Sequence, residues 1–267
     1  MSKIDQLFKT LRAAGQKAFM PFVTAGDPDL EFTAAVIKEL DARGSHLCEL
    51  GIPYSDPIAD GPVIQASYSR ALDKKVKLAQ ILSMLGGVSG QVKAPIVTMV
   101  SYAIILRHGL AKYVEDAQKA GAAGAIVPDL PADEARELSA ICKKADFSLV
   151  QLVTPTTPRE RALKVAESSS GFLYYVSVAG ITGERTELPR DLIENVGWLR
   201  EQTPLPICIG FGISQPEHVK RLAPVADGLI VGSAIVRRVA DADSKPREAV
   251  LKDIGEYVST LLKALNG

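Results

Sequence analysis

The chain has 267 residues, 47% hydrophobic and 23% charged, with 31 basic and 31 acidic side chains. This profile belongs to ordinary globular chains and excludes disordered, collagenous and coiled-coil classes. Zero net charge without a basic stripe argues against nucleic acid, whose phosphates demand clustered cations, and against a polybasic membrane-adhering surface. Residues 4–14 read as an amphipathic helix, and residues 19–24 as a strand that ends in Ala-Gly-Asp-Pro. Residues 30–40 place Leu30, Ala34 and Ile37 at helical spacing. A short strand over 47–50 opens a long Gly/Pro loop, 51–61, followed by one helix directly and a second over 78–85. A strand at 96–100 precedes a helix at 111–120. Another strand, at 125–127, precedes a helix at 133–144 whose first turn holds Asp133 and Glu134, where the helix dipole favours acid. The strand at 148–153 leads to a helix at 158–166 that starts on a proline. A strand at 172–178, a Gly/Thr-rich stretch at 179–188 and a helix at 190–201 come next. Strands at 207–210 and 229–231 flank a helix at 216–222; Gly232-Ser233 opens a further helix, and 246–265 closes the chain as the last one.

Eight strands, each followed by a helix, imply a parallel α/β sheet. In one domain spanning 1–267, eight such units predict a closed (β/α)8 TIM barrel with an extra N-terminal helix. A doubly wound open sheet would want GxGxxG after the first strand, and none stands there. Apolar runs such as IVTMV and GLIV suit strands buried on both faces. Cys48, Cys142 and Cys208 are far apart without a CxxC, and His46, His108 and His218 are equally scattered, so neither a disulfide framework nor a metal cluster is expected. The opening segment mixes charge into its apolar pattern and lacks a signal-peptide core, which makes a cytosolic location the expectation.

Active sites of such barrels lie at the C-terminal strand ends. Two glycine motifs follow the last two strands, Gly210-Phe211-Gly212-Ile213-Ser214 and Gly232-Ser233. There, backbone N–H groups and a helix N-terminus can converge on a phosphate. Gly180-Ile181-Thr182-Gly183 ends strand six and can add amides to the same cradle. Glu49 lies inside the apolar run Leu47-Cys48-Glu49-Leu50, where a carboxylate is costly unless used. Burial would raise its pKa and suit it to proton transfer near neutral pH. Asp60, on spacing alone, reads as a turn or helix-cap residue, and Asp56, before a proline, as turn-initiating. Asp129, in Pro-Asp-Leu-Pro, suits loop bracing and site electrostatics equally.

The stretch 49–62, ELGIPYSDPIADGP, resembles the signature of the tryptophan synthase alpha chain family. Support runs along nearly the whole chain, through FVTAGD at 22–27, IVPDLP at 126–131, and the glycine motifs at 180–183, 210–214 and 232–235. The resemblance implies cleavage of indole-3-glycerol phosphate to indole and glyceraldehyde 3-phosphate. It also implies a beta chain, in a two-alpha, two-beta assembly, that carries its own pyridoxal phosphate, with no cofactor on this chain. By motif matching, Glu49 would be the general acid/base and Asp60 would hold the indole N–H. Gly183, Gly212, Gly232 and Ser233 would hold the phosphate, and Phe22, Val100, Tyr174, Thr182 and Phe211 would surround the substrate. Two positions depart from the family pattern: Cys48 stands where an aliphatic residue is usual, and Ile104 where an asparagine is common.

The implied reaction is a retro-aldol cleavage, which needs an electron sink. Many aldolases use a lysine Schiff base or a metal. No lysine stands at a predicted strand end and no ligand cluster is visible in the sequence. Indole can serve instead: protonation at ring carbon C3 gives an iminium-like species whose charge reaches the ring nitrogen, where a carboxylate stabilises it. Two rivals frame this reading. Another phosphate-binding barrel enzyme would share the glycine motifs but not the 49–62 loop. A barrel kept only to regulate a partner would have lost its carboxylates, yet Glu49 and Asp60 are both present.

Overall fold

The computed structural model describes residues 1–57, 60–177, 192–210 and 212–267. The first half runs α1 (Lys3–Ala13), β1 (Ala18–Thr24), α2 (Leu30–Ala42), β2 (Cys48–Gly51), α3 (Pro62–Asp73), α4 (Leu78–Ser89), β3 (Ile96–Met99), α5 (Tyr102–His108), α6 (Leu110–Lys119) and β4 (Ala122–Ile126). The second half runs α7 (Arg136–Lys144), β5 (Ser148–Val150), β6 (Leu152–Val153), α8 (Arg159–Ser168), β7 (Leu173–Val176), α9 (Leu192–Gln202), β8 (Ile207–Gly210), α10 (Pro216–Leu222), β9 (Gly228–Val231), α11 (Ser233–Ala240) and α12 (Arg247–Asn266).

The sheet order is β5-β4-β3-β2-β1-β9-β8-β7-β6. Every pairing among the described strands is parallel. The two ends of that order, β5 and β6, are separated in the chain only by Gln151, so they occupy one position and the sheet closes into a barrel. Gln151 is itself part of the closure: its carbonyl accepts from Tyr174 N–H at 3.1 Å.

Alternation along the strands separates two cores. Met20, Phe22, Val97, Met99, Ile126, Val150, Tyr174, Cys208 and Ile230 face the barrel interior. Phe19, Val23, Cys48, Leu50, Leu149, Tyr175, Ile209 and Leu229 pack outward under the helices. Helix α1 plugs the N-terminal end of the barrel with Ile4, Phe8 and Leu11, and the Phe8 ring lies 5.8 Å from that of Phe172. Ser2 and Asp5 form a reciprocal capping box that starts this helix.

The structure departs from the sequence expectations in a few places. The strand expected over 148–153 is broken at Gln151, where the barrel closes. Strand β4 begins at Ala122, on an Ala-Ala-Gly run of weak strand propensity; its neighbours impose the conformation. Gly124 is required there, because a Cβ would lie 2.5 Å from the Ser148 carbonyl oxygen. Asp133 and Glu134 sit in a 3-10 turn, and the α-helix starts only at Arg136. Helix α5, absent from the expectations, is started by Ser101, whose Oγ accepts from Ala103 N–H. No helix among the described residues is long and apolar enough to cross a membrane.

Candidate active site

Glu49 lies on β2 between Cys48 and Leu50, both of which face the helices. The period of two therefore turns its carboxyl into the barrel. Its register neighbours are Phe22 on β1 and Val97 on β3. It is fully buried, and neither carboxyl oxygen has a hydrogen-bond partner among the described residues. Burial pushes this carboxyl well above the ordinary range, which favours its protonated form.

Asp60 stands at the mouth of the barrel, just before α3, and is 8% exposed. Burial raises its carboxyl to about 6. The backbone around it is fastened by hydrogen bonds: Asp60 N–H donates to the Pro57 carbonyl at 3.0 Å, and Gln65 Nε2 donates to the Asp60 carbonyl at 2.7 Å. Gly61 caps the helix and Pro62 occupies its first turn, a start suited to the fixed proline φ. Helix α3 is in turn anchored to β1 and its loop. Thr24 and Ser67 hydroxyls lie 2.7 Å apart, and Arg70 grips Asp27 with two hydrogen bonds of 2.8 and 2.7 Å. Gln65, Ser67 and Arg70 are positioning residues that the sequence reading did not single out. The available signal was Ser67, a polar residue amid the buried stripe Ile64, Tyr68 and Ala71.

Aromatic rings enclose the two acids. Phe22 and Tyr174 are buried on the interior face, and a third ring, Tyr68 of α3, joins them. Two glycines make the room. A Cβ on Gly51 would fall 2.5 Å from the Phe22 ring and 3.0 Å from the Tyr68 hydroxyl; one on Gly210 would fall 2.3 Å from the Tyr174 hydroxyl. Tyr54 lies across the Tyr68 ring at 5.5 Å. Burial, then the neighbouring acidic groups of Glu49 and Asp60, keeps Tyr174 firmly protonated. Val100, one residue beyond β3, packs instead with the helix-facing core.

The glycine motifs expected to receive the phosphate follow β8 and β9, which pair in register Ile209↔Leu229. Gly212 has φ +76°, a left-handed conformation that favours glycine. Gly232 is the N-cap of α11 and no side chain caps it, so the first-turn amides are not taken up by a capping side chain. A Cβ on Gly232 would lie 3.6 Å from Phe22 Cβ, so one ring borders both the acidic end and the amide end of the site. The loop between β8 and α10 is held from behind: Tyr257 of α12 donates to the Ser214 carbonyl at 2.8 Å, and the Arg238 guanidinium stacks 3.7 Å over the Tyr257 ring. Thr182, Gly183 and Phe211 lie outside the described residues.

Asp129 braces its loop, accepting from Ser101 Oγ at 2.6 Å and from Tyr102 N–H at 2.7 Å. These bonds start α5, in which Ile104 packs against the helix-facing core. Asp56 is exposed and accepts a hydrogen bond from its neighbour Ser55 Oγ at 3.2 Å.

A closed parallel barrel with two carboxyls among aromatic rings and an amide cradle beside them defines a (β/α)8 enzyme that acts on a phosphorylated aromatic molecule. The sequence profile of the tryptophan synthase alpha chain matches residues 8–266. The tryptophan synthase alpha chain of Rhodopirellula baltica is 58% identical, over 100% of this chain and 99% of that one. The crystal structure of tryptophan synthase subunit alpha from Legionella pneumophila superposes with a TM-score of 0.90 at 34% identity, covering 99% and 98% of the two chains. A tryptophan synthase structure from Mycobacterium tuberculosis gives 0.90 at 28% identity, covering 100% and 99%. The chain belongs to the tryptophan synthase alpha chain family. It is a carbon–carbon lyase of L-tryptophan biosynthesis that cleaves indole-3-glycerol phosphate and works with a beta chain.

Proposed function

We propose that Glu49 and Asp60 divide the chemistry of this cleavage between them. The supporting observation is the burial of Glu49 on the interior barrel face with both carboxyl oxygens unpartnered among the described residues. A buried neutral acid without protein partners is poised to give its proton to a ligand. Glu49 protonates indole C3, and the cation that forms is shared with the ring nitrogen. Asp60, ionised above its raised value of about 6, takes the ring N–H and offsets that charge. Glu49, now a carboxylate, removes the proton from the side-chain hydroxyl next to the ring. The carbon–carbon bond breaks, its electrons restore the neutral indole, and the hydroxyl carbon becomes the aldehyde of glyceraldehyde 3-phosphate. Glu49 ends protonated, so the proton balance closes in one turnover. Two acids whose environments set them to opposite protonation states are a recurring solution to such chemistry.

The phosphate is held by the amides at Gly212, Gly232 and Ser233, joined by Gly183, and the indole by Phe22, Tyr174, Thr182 and Phe211. The chain itself uses no cofactor, and pyridoxal phosphate belongs to the beta chain. Two alpha and two beta chains assemble in the cytoplasm. Indole release from indole-3-glycerol phosphate, measured on the purified chain with and without a beta chain, tests the reading. Glu49→Gln should lower turnover by at least about a hundredfold, the scale of general acid–base catalysis, while substrate still binds. Parental turnover in that variant would refute the assignment.

A further inference from the structure

The interior face of the barrel holds a second unpartnered polar group beside Glu49. Tyr68 is 1% exposed, and its hydroxyl has no hydrogen-bond partner among the described residues. Buried hydroxyls in native proteins are normally satisfied, and one left open costs stability and calls for an explanation. Here the explanation lies in its position. The hydroxyl rests on Gly51, 3.0 Å from where a Cβ would be. Gly51 and Glu49 are two residues apart on β2 and so share the interior face, roughly 6.6 Å apart along the strand. A ligand lying against that face is within reach of both orphans.

The chemistry of the two groups is complementary. Burial first, then the neighbouring acidic groups of Asp60, Tyr54 and Glu49, holds the Tyr68 phenol protonated, so it is a donor. Glu49, once it has protonated the ring, is an acceptor. A hydroxyl set between a donor and an acceptor has its own proton aimed at the acceptor. We propose that Tyr68 is a substrate-contacting residue: its O–H donates to the oxygen of the side-chain hydroxyl next to the indole ring, directing that hydroxyl's proton to Glu49. As the proton leaves, the same hydrogen bond stays on the oxygen that becomes the aldehyde carbonyl. This rests on the role of Glu49 given above.

The ring of Tyr68 is also packed, against Tyr54, so the informative change is Tyr68→Phe, which keeps the ring and removes only the hydroxyl. Two ligands separate the possibilities: indole-3-glycerol phosphate, bound in a Glu49→Gln background to prevent cleavage, and an analogue in which an unsubstituted three-carbon chain joins indole to phosphate. Loss of one hydrogen bond should weaken the hydroxylated ligand about three- to tenfold and leave the analogue's affinity unchanged. With Glu49 intact, turnover of Tyr68→Phe should fall by a similar or larger factor. Equal weakening of both ligands would reveal a packing role and overturn the proposal, as would no change in either. Turnover of Glu49→Gln on its own separates the two claims. If that variant is inactive while Tyr68→Phe matches the parent, only the Tyr68 proposal fails; if Glu49→Gln turns over normally, the Glu49 reading fails first.

Discussion

Glu49 and Asp60 are both raised by burial, yet the consequences differ because their depths differ. Asp60, at about 6, titrates just below neutrality. Protonation removes the charge that should face the ring nitrogen, so turnover should fall as pH drops through about 6. The pH profile of kcat checks this, and Asp60→Asn should lose both most of the rate and that acidic limb. Glu49 titrates far higher. Its folded-state value exceeds the unfolded one, so the chain takes up a proton on folding once the pH passes the ordinary value of 4.5. Stability is then lost progressively as pH rises toward the folded value. Glutamine does not titrate. Thermal melts should therefore find Glu49→Gln more stable than the parent at neutral pH, with an advantage that shrinks to little near pH 4.5. Reduced turnover together with raised stability would mark Glu49 as a residue retained for chemistry at a cost to the fold.

At the strand ends, two glycines serve for different reasons. Gly51 is needed by its neighbours, because a methyl group there would strike the Phe22 ring at 2.5 Å. Gly51→Ala should push Phe22 and Tyr68 apart and destabilise the barrel by about 1–3 kcal/mol, read from denaturant unfolding. Gly232 has a negative φ of −108° and only ordinary contacts at 3.6 Å and beyond. No contact in the described protein forbids a side chain there. Gly232→Ala should fold and melt as the parent does but bind substrate about tenfold or more weakly, because hydrogen bonds to a charged phosphate are lost. Helix α3 completes the mouth: one short element carries Gln65 to the Asp60 carbonyl, Ser67 to Thr24, Arg70 to Asp27 and Tyr68 to Gly51.

Across the barrel, stability and chemistry occupy opposite ends. The N-terminal end is closed by α1, whose Arg12 donates to Asp227 with bonds of 3.1 and 3.2 Å. Asp227 also accepts from Ile207 N–H at 2.9 Å, which ties the helix to β8 and β9. Burial alone would raise this carboxyl, but the bonds from Arg12 and Ile207 outweigh it and hold it below the ordinary value. Its contribution is therefore present above the unfolded value of 3.8 and is lost as pH falls through the folded one. Asp227→Asn should cost about 1–2 kcal/mol at pH 7, a modest figure because Arg12 is half exposed, and the difference should vanish in strong acid. Indole release should be unchanged, since every group assigned to the reaction lies at the far end of the strands.

Periodicity alone was enough to read eight strand–helix units, the closed barrel and the end at which to look for a site, because those follow from local hydrophobic spacing. The position of Glu49 was legible too, since a lone carboxylate between Cys48 and Leu50 conflicts with its surroundings. The break at Gln151 and the early start of β4 were not, because each depends on a partner strand distant in the chain. Tyr68 remained hidden for a related reason. On α3 it has the spacing of any core residue, and nothing local says that its hydroxyl ends on Gly51 of another element. Local sequence sets which face of an element is apolar, whereas the pairing of distant strands and helices sets which polar atom is left without a partner, and the Glu49 carboxyl oxygens and the Tyr68 hydroxyl are among those atoms.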